Sequence, residues 1–208
     1  MTDSTNGLVI IIDDDYRVRE ALSDLLLAAG MSAVLFASAS EYINSRKVDT
    51  PACLVVDIGL GDINGLDLQD QIANEGHPPI IFITGHGDVP SSVRAMKAGA
   101  IDFLTKPFSE RDLLGAIRLA IEKDREMRRI RSEQAALEAR MNSLTPRERE
   151  VMSLVVSGLL NKQAAAKLGI SEVTLQIHRG KVMRKMKAES LADLVRMAAS
   201  LKIPLCAE

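Results

Sequence analysis

Four short apolar runs in this chain stop on side chains that carry oxygen or nitrogen. Leu8 to Ile12 ends on Asp13-Asp14-Asp15, Cys53 to Val56 ends on Asp57, and Ile80 to Ile83 ends on Thr84. Ile101 to Leu104 runs into Thr105-Lys106-Pro107. Carboxylates gathered at one edge would resist joint ionisation unless a cation neutralised them. An oxygen-rich acidic cluster suits Mg2+, which takes a few carboxylates and keeps several waters. A hydroxyl at Thr84 and an ammonium at Lys106 would complete a pocket for a tetrahedral, multiply charged group. The chemistry that follows is phosphoryl transfer, with Asp57 as nucleophile, Mg2+ as charge neutraliser and Lys106 as anchor.

For these groups to meet, the runs must be neighbouring parallel strands. The first three are short and apolar throughout, the pattern of a strand buried on both faces, and the fourth is broken only by Asp102. Ala33 to Phe36 adds a fifth. Between the strands, helical spacing recurs at 18–29, about 40–45 with Ser40 as its cap, about 66–74, and 90–98, with Gly30 and Gly99 as stops. Alternation of strand and helix predicts an α/β fold, a five-stranded doubly wound parallel sheet over residues 1–122. In such a sheet the strand ends that carry Asp13, Asp14, Asp57, Thr84 and Lys106 share one edge.

From Ser109 a helix with heptad character continues to about residue 144, with apolar positions at Leu113, Ile117, Ala120, Met127, Ile130, Leu137 and Met141. Asp124 and Gln134 interrupt that seam. Residues 123–141 are the predicted linker helix, suited to pairing with a second copy as a coiled coil or to packing back on its own chain.

Residues 142–208 read as a small all-α domain. Thr145-Pro146 is a cap followed by proline at the first helical position. Helices are predicted over 146–157, 161–168, 172–186 and 190–201, the last stopped before Pro204, with a tight turn at Gly169-Ile170-Ser171. Two helices joined by a glycine turn, the second rich in Arg and Lys, read as a helix-turn-helix. Leu175, His178, Val182 and Met186 fall on one face and should meet the core. Gln176, Ile177, Arg179, Gly180, Lys181, Arg184 and Lys185 should face outward.

Charge supports this division. Residues 1–122 hold 9 Lys and Arg against 18 Asp and Glu, and residues 142–208 hold 11 against 6. The acidic front suits cations and the basic back a polyanion such as double-stranded DNA. No apolar run approaches the roughly 20 residues that span a bilayer, and Met1 to Gly7 has no secretory signal pattern. Cys53 and Cys206 form neither a CxxC pair nor a disulfide framework, which fits a reducing cytoplasm.

Asp13-Asp14, Asp57, Thr84 and Thr105-Lys106-Pro107-Phe108 together resemble the receiver domain of two-component response regulators. Leu144-Thr145-Pro146-Arg147-Glu148, Asn161-Lys162, Thr174, His178 and Lys185-Met186 resemble the LuxR/FixJ-type DNA-binding domain. The combination is that of the FixJ/NarL response regulators. The resemblance implies that Asp57 accepts a phosphoryl group from a sensor histidine kinase. It implies that Asp13, Asp14, Asp57 and the backbone carbonyl of Gly59 hold Mg2+, that Thr84 and Lys106 bind phosphoryl oxygens, and that Phe103 moves with Thr84 as a switch. It implies further that the Lys106–Pro107 peptide is cis. In the second domain it places helix 172–186 in the major groove, with Gln176 and Ile177 near base edges, Thr174, Arg179 and Lys181 nearer phosphates, and Lys162 as a further DNA-binding residue. A homodimer formed on activation, and RNA polymerase as a further candidate partner, complete the expected assembly, with no enzymatic action on an external substrate.

Two departures bear on this. The loop after the phosphoacceptor usually carries Met-Pro in the family, and here stands Leu60-Gly61, which loosens it. Phe103 stands where tyrosine is commoner. The first departure supports an alternative in which an atypical receiver serves as a constitutive dimerisation module of a transcription factor. A free-standing aspartyl-phosphate hydrolase would want a second carboxylate two residues after Asp57, and position 59 is glycine.

Overall fold

Strict alternation along the central strands sends successive side chains to two separate cores. In the computed structural model, which describes residues 7–46, 48–73, 76–85 and 87–203, the chain forms two compact units, residues 1–128 and 129–208. The first unit runs β1 (Leu8–Ile12), α1 (Tyr16–Ala28), β2 (Ser32–Phe36), α2 (Ala39–Ile43), β3 (Ala52–Asp57), α3 (Gly65–Ile72), β4 (Ile80–Thr84), α4 (Val89–Lys97) and β5 (Asp102–Thr105). The long α5 (Glu110–Asn142) follows, and the boundary between units falls within it. All strands are parallel, in the order β2-β1-β3-β4-β5.

Val9 and Ile11, Cys53 and Val55, and Ile81 and Ile83 join Leu22 and Leu26 of α1 and Leu113, Ile117 and Ala120 of α5 on one face. Ile10 and Ile12, Leu54 and Val56, and Ile80 and Phe82 join Ala39, Leu66, Leu68, Ile72 and Ala95 of α2, α3 and α4 on the other. Every residue of β3 and β4 is buried, so before the terminal Asp57 and Thr84 their runs carry no polar position to betray a face. The edge strands β2 and β5 are only partly covered. The expected doubly wound sheet is therefore present, with β1 and β3 adjacent at its centre.

Several local expectations shift. Ser38, and not Ser40, caps α2, since the Ser38 side chain accepts from the Glu41 N–H while Ser40 is engaged elsewhere. α4 begins at Val89 after an Asp88 cap. The expected end of the third helix at Asn74, the Met1–Thr5 segment, Pro204 and Cys206 lie outside the described residues. The long helix buries Leu113, Ala116, Ile117, Ala120, Ile121 and Asp124 in the first unit, while Leu137 and Met141 pack against the core of the second. Of the apolar seam, Ile130 is left half-exposed.

Asp124, which interrupts that seam, is 1% exposed. Its Oδ2 accepts from the Ala52 N–H at the start of β3, 2.9 Å, and from Arg128 Nε, 2.7 Å. Arg128 also donates to the Val48 carbonyl at 3.2 Å. The polar break is a clamp between α5 and the foot of the strand that ends on Asp57. Burial and the nearby Asp124 charge push the Cys53 thiol up to about 12. Cys53 is a free cysteine.

The second unit packs α6 (Pro146–Val156), α7 (Asn161–Leu168), α8 (Glu172–Met186) and α9 (Leu191–Ser200) around Val151, Met152, Val155, Leu175, Val182, Met186 and Leu194. Gly169, at φ 64°, closes α7, and Ser171 caps α8. Among the described residues no helix is long and apolar enough to cross a membrane.

The start of α6 is held by a reciprocal cap. Thr145 Oγ1 accepts from the Glu148 N–H at 3.3 Å, and Glu148 Oε2 accepts from the Thr145 N–H at 2.8 Å. The same carboxylate oxygen receives Lys185 Nζ at 2.6 Å. These bonds, Lys185 first, hold the Glu148 carboxyl down at about 2 from an ordinary 4.5. A carboxyl depressed in the folded state adds stability that is present above its unfolded value and lost as pH falls through the folded one. Unfolding of the second unit should therefore ease between about pH 4.5 and pH 2. Glu148→Gln should flatten that dependence in acid-titrated thermal melts, and an unchanged slope in the variant would count against the assignment.

Candidate functional site: an acidic strand-end pocket and a basic helix

The site in the first unit lies where the strand order reverses, at the carboxyl ends of β1 and β3, the place where open α/β sheets bind ligands. Asp57 closes β3 and is 8% exposed. Asp13 follows β1 and is 1% exposed, while Asp14 faces solvent. Thr84 closes β4 at 5% exposure, and its carbonyl accepts from the Lys106 N–H at 2.7 Å, placing the lysine beyond β5. The Lys106–Pro107 peptide is cis.

Lys106 Nζ donates to Asp57 Oδ1 at 2.7 Å and to Asp13 Oδ2 at 3.0 Å. The other oxygen of Asp57 accepts from the Gly59 N–H at 2.6 Å. The other oxygen of Asp13 accepts from the Asp15 N–H at 2.9 Å. Each carboxylate thus receives one ammonium and one amide, and the ammonium joins them. Burial pushes the Asp13 carboxyl above its ordinary value even against Lys106. Burial pulls Lys106 down, but the bonds to Asp57 and Asp13 outweigh it and hold the ammonium above its ordinary value. Two enclosed carboxylates joined by a fixed cation make a pocket whose chemistry suits a doubly charged phosphoryl group.

The donor set also suits a hard cation. Asp14 Oδ2 lies close to Gly61, at 3.5 Å from where a side chain on that glycine would begin, so Asp14 flanks the loop after Asp57. Among the described residues no three acidic, His or Cys side chains are already drawn together as a metal-binding group. Lys106 stands between Asp13 and Asp57 as the neutralising charge. Oxygen-only donors on two converging strand ends match what Mg2+ takes.

The strand ends bring Asp13, Asp57 and Lys106 into contact, with Thr84 on the adjoining strand end. Phe103 on β5 is partly buried and packs against the α2–α4 side core. Three further residues have roles here that spacing alone did not reveal. Arg19 Nη1 donates to the carbonyls of Asp13 and Asp14, at 2.7 and 3.1 Å, and so fixes the acidic turn. Its signal was a cation one helical turn beyond the acids. Gly65 allows α3 to begin against Asp57, since a Cβ there would lie 2.5 Å from the Asp57 carbonyl oxygen. Asp62 accepts from the Ser40 N–H at 2.9 Å, Ser40 Oγ at 2.7 Å and the Ala39 N–H at 3.3 Å. Its slight burial pushes it up, and Ser40 first among its donors brings it down to about 2. No local pattern marks a contact between residues so far apart in sequence.

In the second unit, Gln176, Ile177 and Lys181 on α8 and Lys162 on α7 are exposed. Leu175, Val182 and Met186 face inward as expected. Thr174 bonds Ser171 at the helix start, and Arg179 is half-buried with its guanidinium on Asn161 Oδ1 at 2.9 Å. His178 is half-buried, and its Nδ1 is enclosed without a hydrogen-bond partner. Lys185 departs from expectation. Its backbone position is outward, but the long side chain turns back to Glu148 and to the Ser143 carbonyl at 3.0 Å. The near-complete burial of that carboxylate (3% exposed) demands a cation.

Residues 9–118 match the family model described as the response regulator receiver domain, and residues 142–198 match that of the bacterial regulatory proteins of the luxR family. Nodulation protein W of Bradyrhizobium diazoefficiens is 48% identical over 201 residues, covering 96% of this chain and 88% of that one. Transcriptional regulatory protein FixJ of Azorhizobium caulinodans is 41% identical over 191 residues, 91% of this chain and 90% of that one. Among solved structures, the response regulator StyR superposes with a TM-score of 0.85 at 44% identity, covering 92% of this chain and 98% of its own.

Proposed function

The chain belongs to the response regulators that join a receiver domain to a LuxR-type DNA-binding domain, and on that premise we propose that a phosphoryl group on Asp57 controls how it binds DNA. It is a phosphorylation-controlled transcriptional regulator and not an enzyme acting on an external substrate. Residues 1–122 serve as the receiver, 123–141 as the linker helix and 142–208 as the DNA-binding domain.

The donor is a phosphohistidine on a sensor histidine kinase. An oxygen of Asp57 supplies the electron pair for the new O–P bond, the N–P bond breaks, and the imidazole leaves with its electrons and takes a proton from solvent. Asp13, Asp14, Asp57 and the carbonyl of Gly59 hold Mg2+, which when bound neutralises charge on the transferring group. Lys106 releases part of its grip on Asp57 to hold a phosphoryl oxygen. The Thr84 hydroxyl takes another, and Phe103 follows it, which biases a two-state domain. The same residues assist hydrolysis of the acyl phosphate, so the receiver promotes its own phosphorylation and dephosphorylation. Activated copies pair, and each presents α8 to a major groove, with Gln176 and Ile177 at base edges and Lys162, Thr174, Arg179 and Lys181 at phosphates. The partners are then the kinase, double-stranded DNA, a second copy and RNA polymerase, in the cytoplasm.

The observation that carries this reading is Lys106 Nζ lying 2.7 Å from Asp57 and 3.0 Å from Asp13. A constitutive dimerisation module, the second reading, gains only from Leu60-Gly61 and leaves that trio without a task. The test is light-scattering mass and DNA affinity with and without Mg2+ and beryllofluoride, a stable mimic of the phosphoryl group. A rise in mass or affinity that Asp57→Asn abolishes is the expected result. Equal mass and affinity in all conditions would favour the constitutive module.

A further inference from the structure

The loop that follows Asp57 has lost the feature that would stiffen it. Gly61 stands where the family pattern has proline, and glycine has more backbone freedom to lose on ordering than any other residue. Yet this loop carries Gly59, whose N–H holds one oxygen of Asp57. Its ends are held by backbone bonds from the Ile58 N–H to the Ile83 carbonyl and from the Gly65 N–H to the Ile58 carbonyl, and between them two side chains restrain it. Leu60 is 7% exposed in the core on the α2–α4 side. Asp62, itself exposed, sends its carboxylate across to the first turn of α2, where it accepts from Ala39, from Ser40 and from the Ser40 hydroxyl.

That contact is not needed to cap α2. Ser38 already caps it by accepting from Glu41. The Ala39 and Ser40 amides are first-turn groups that would otherwise turn to water. The tie therefore acts on the loop, joining it to an element that belongs to a different part of the sheet.

We propose that Asp62 is a positioning residue that fixes the loop after Asp57 in place of the missing proline, setting the Gly59 backbone for the metal and the phosphoryl group. The inference rests on the phosphorylation reading of Asp57. Asp62 touches neither the reacting carboxylate nor its charge partners. It acts by restricting where Gly59 can sit.

The test is Mg2+ binding to the full-length chain, followed by calorimetry and by the amide resonances of Gly59 and Gly61, alongside the Mg2+ dependence of phosphorylation by acetyl phosphate. Asp62→Ala should weaken Mg2+ binding about fivefold to thirtyfold, the equilibrium weight of one or two net hydrogen bonds. Its phosphorylation at saturating Mg2+ should change much less. Ser40→Ala, which removes one bond and carries the test should the first variant fold poorly, should shift binding in the same direction by a smaller factor. Ser38→Ala strips the cap from α2 without touching the loop, and should leave Mg2+ affinity within twofold of the parent. Unchanged Mg2+ affinity in both Asp62→Ala and Ser40→Ala overturns the proposal, as does a loss in Ser38→Ala equal to theirs. A parent chain that neither binds Mg2+ nor takes a phosphoryl group at Asp57 would instead overturn the phosphorylation reading itself.

Discussion

Asp57→Asn should take up phosphoryl groups from acetyl phosphate on the order of a thousandfold more slowly than the parent, or not at all, because an amide offers no carboxylate electron pair for attack. The substitution is close to isosteric, and the strand behind it is fully buried, so the sheet should persist. The pocket itself will be disturbed in one respect. Asp57 accepts on both sides, from Lys106 on Oδ1 and from the Gly59 N–H on Oδ2. An asparagine can accept on only one, so its NH2 must meet a donor. The Gly59 amide should accordingly exchange faster in the variant. Intact mass after incubation with the donor and Mg2+ reads the main effect directly. Incorporation near the parental rate would place the nucleophile elsewhere.

Lys106→Ala carries the second large effect. It removes the ammonium shared by Asp13 and Asp57 and leaves two enclosed carboxylates facing each other. Stripping one partner from a fully buried pair costs about 3–5 kcal/mol. The cost is smaller here, because the Lys106 side chain keeps 27% of its exposure and water can enter. The kinetic consequence is larger. Losing a fixed charge at the transferring group should slow phosphorylation about 100- to 1,000-fold. A direction in pH accompanies it. Without the cation, the Asp13 carboxyl, already raised by burial, loses the partner that lowers it, so the acid limb of the pH–rate profile should move to higher pH. Lys106→Arg should return the charge and reverse that movement while restoring the rate only in part, since a planar guanidinium does not reproduce a point charge. A Lys106→Ala chain with parental rate and pH profile would reduce the lysine to a structural role.

Much of this was legible because the strands advertise themselves. Short apolar runs that end on polar residues give both the sheet and the edge where Asp13, Asp57, Thr84 and Lys106 gather. Helix α8 shows up as cleanly, since Ser171 and Gly169 punctuate its start. What sequence patterns hid were contacts made by long side chains or across the chain. Lys185 sits at an outward position by helical angle, but its long flexible stem lets it reach Glu148. Ser40 looked like a cap because serine before a helix usually is one. Its hydroxyl is instead given to Asp62, and Ser38 does the capping. Asp124 looked like a flaw in a heptad seam. It is buried because the Ala52 amide needs an acceptor, a requirement that lies 72 residues away in sequence.

That last contact has a bearing on how such modules can be exchanged between proteins. The sheet ends with β5 and its covering helix, and a joint cut just past Ile121 would look harmless. It would discard Asp124 and Arg128, leaving the amide at the foot of the Asp57 strand without its acceptor. A graft that keeps the helix through Arg128 carries the acceptor and its counter-charge along. Recombination, natural or by hand, is thus steered toward joints beyond Arg128, by a carboxylate at the opposite end of β3 from Asp57.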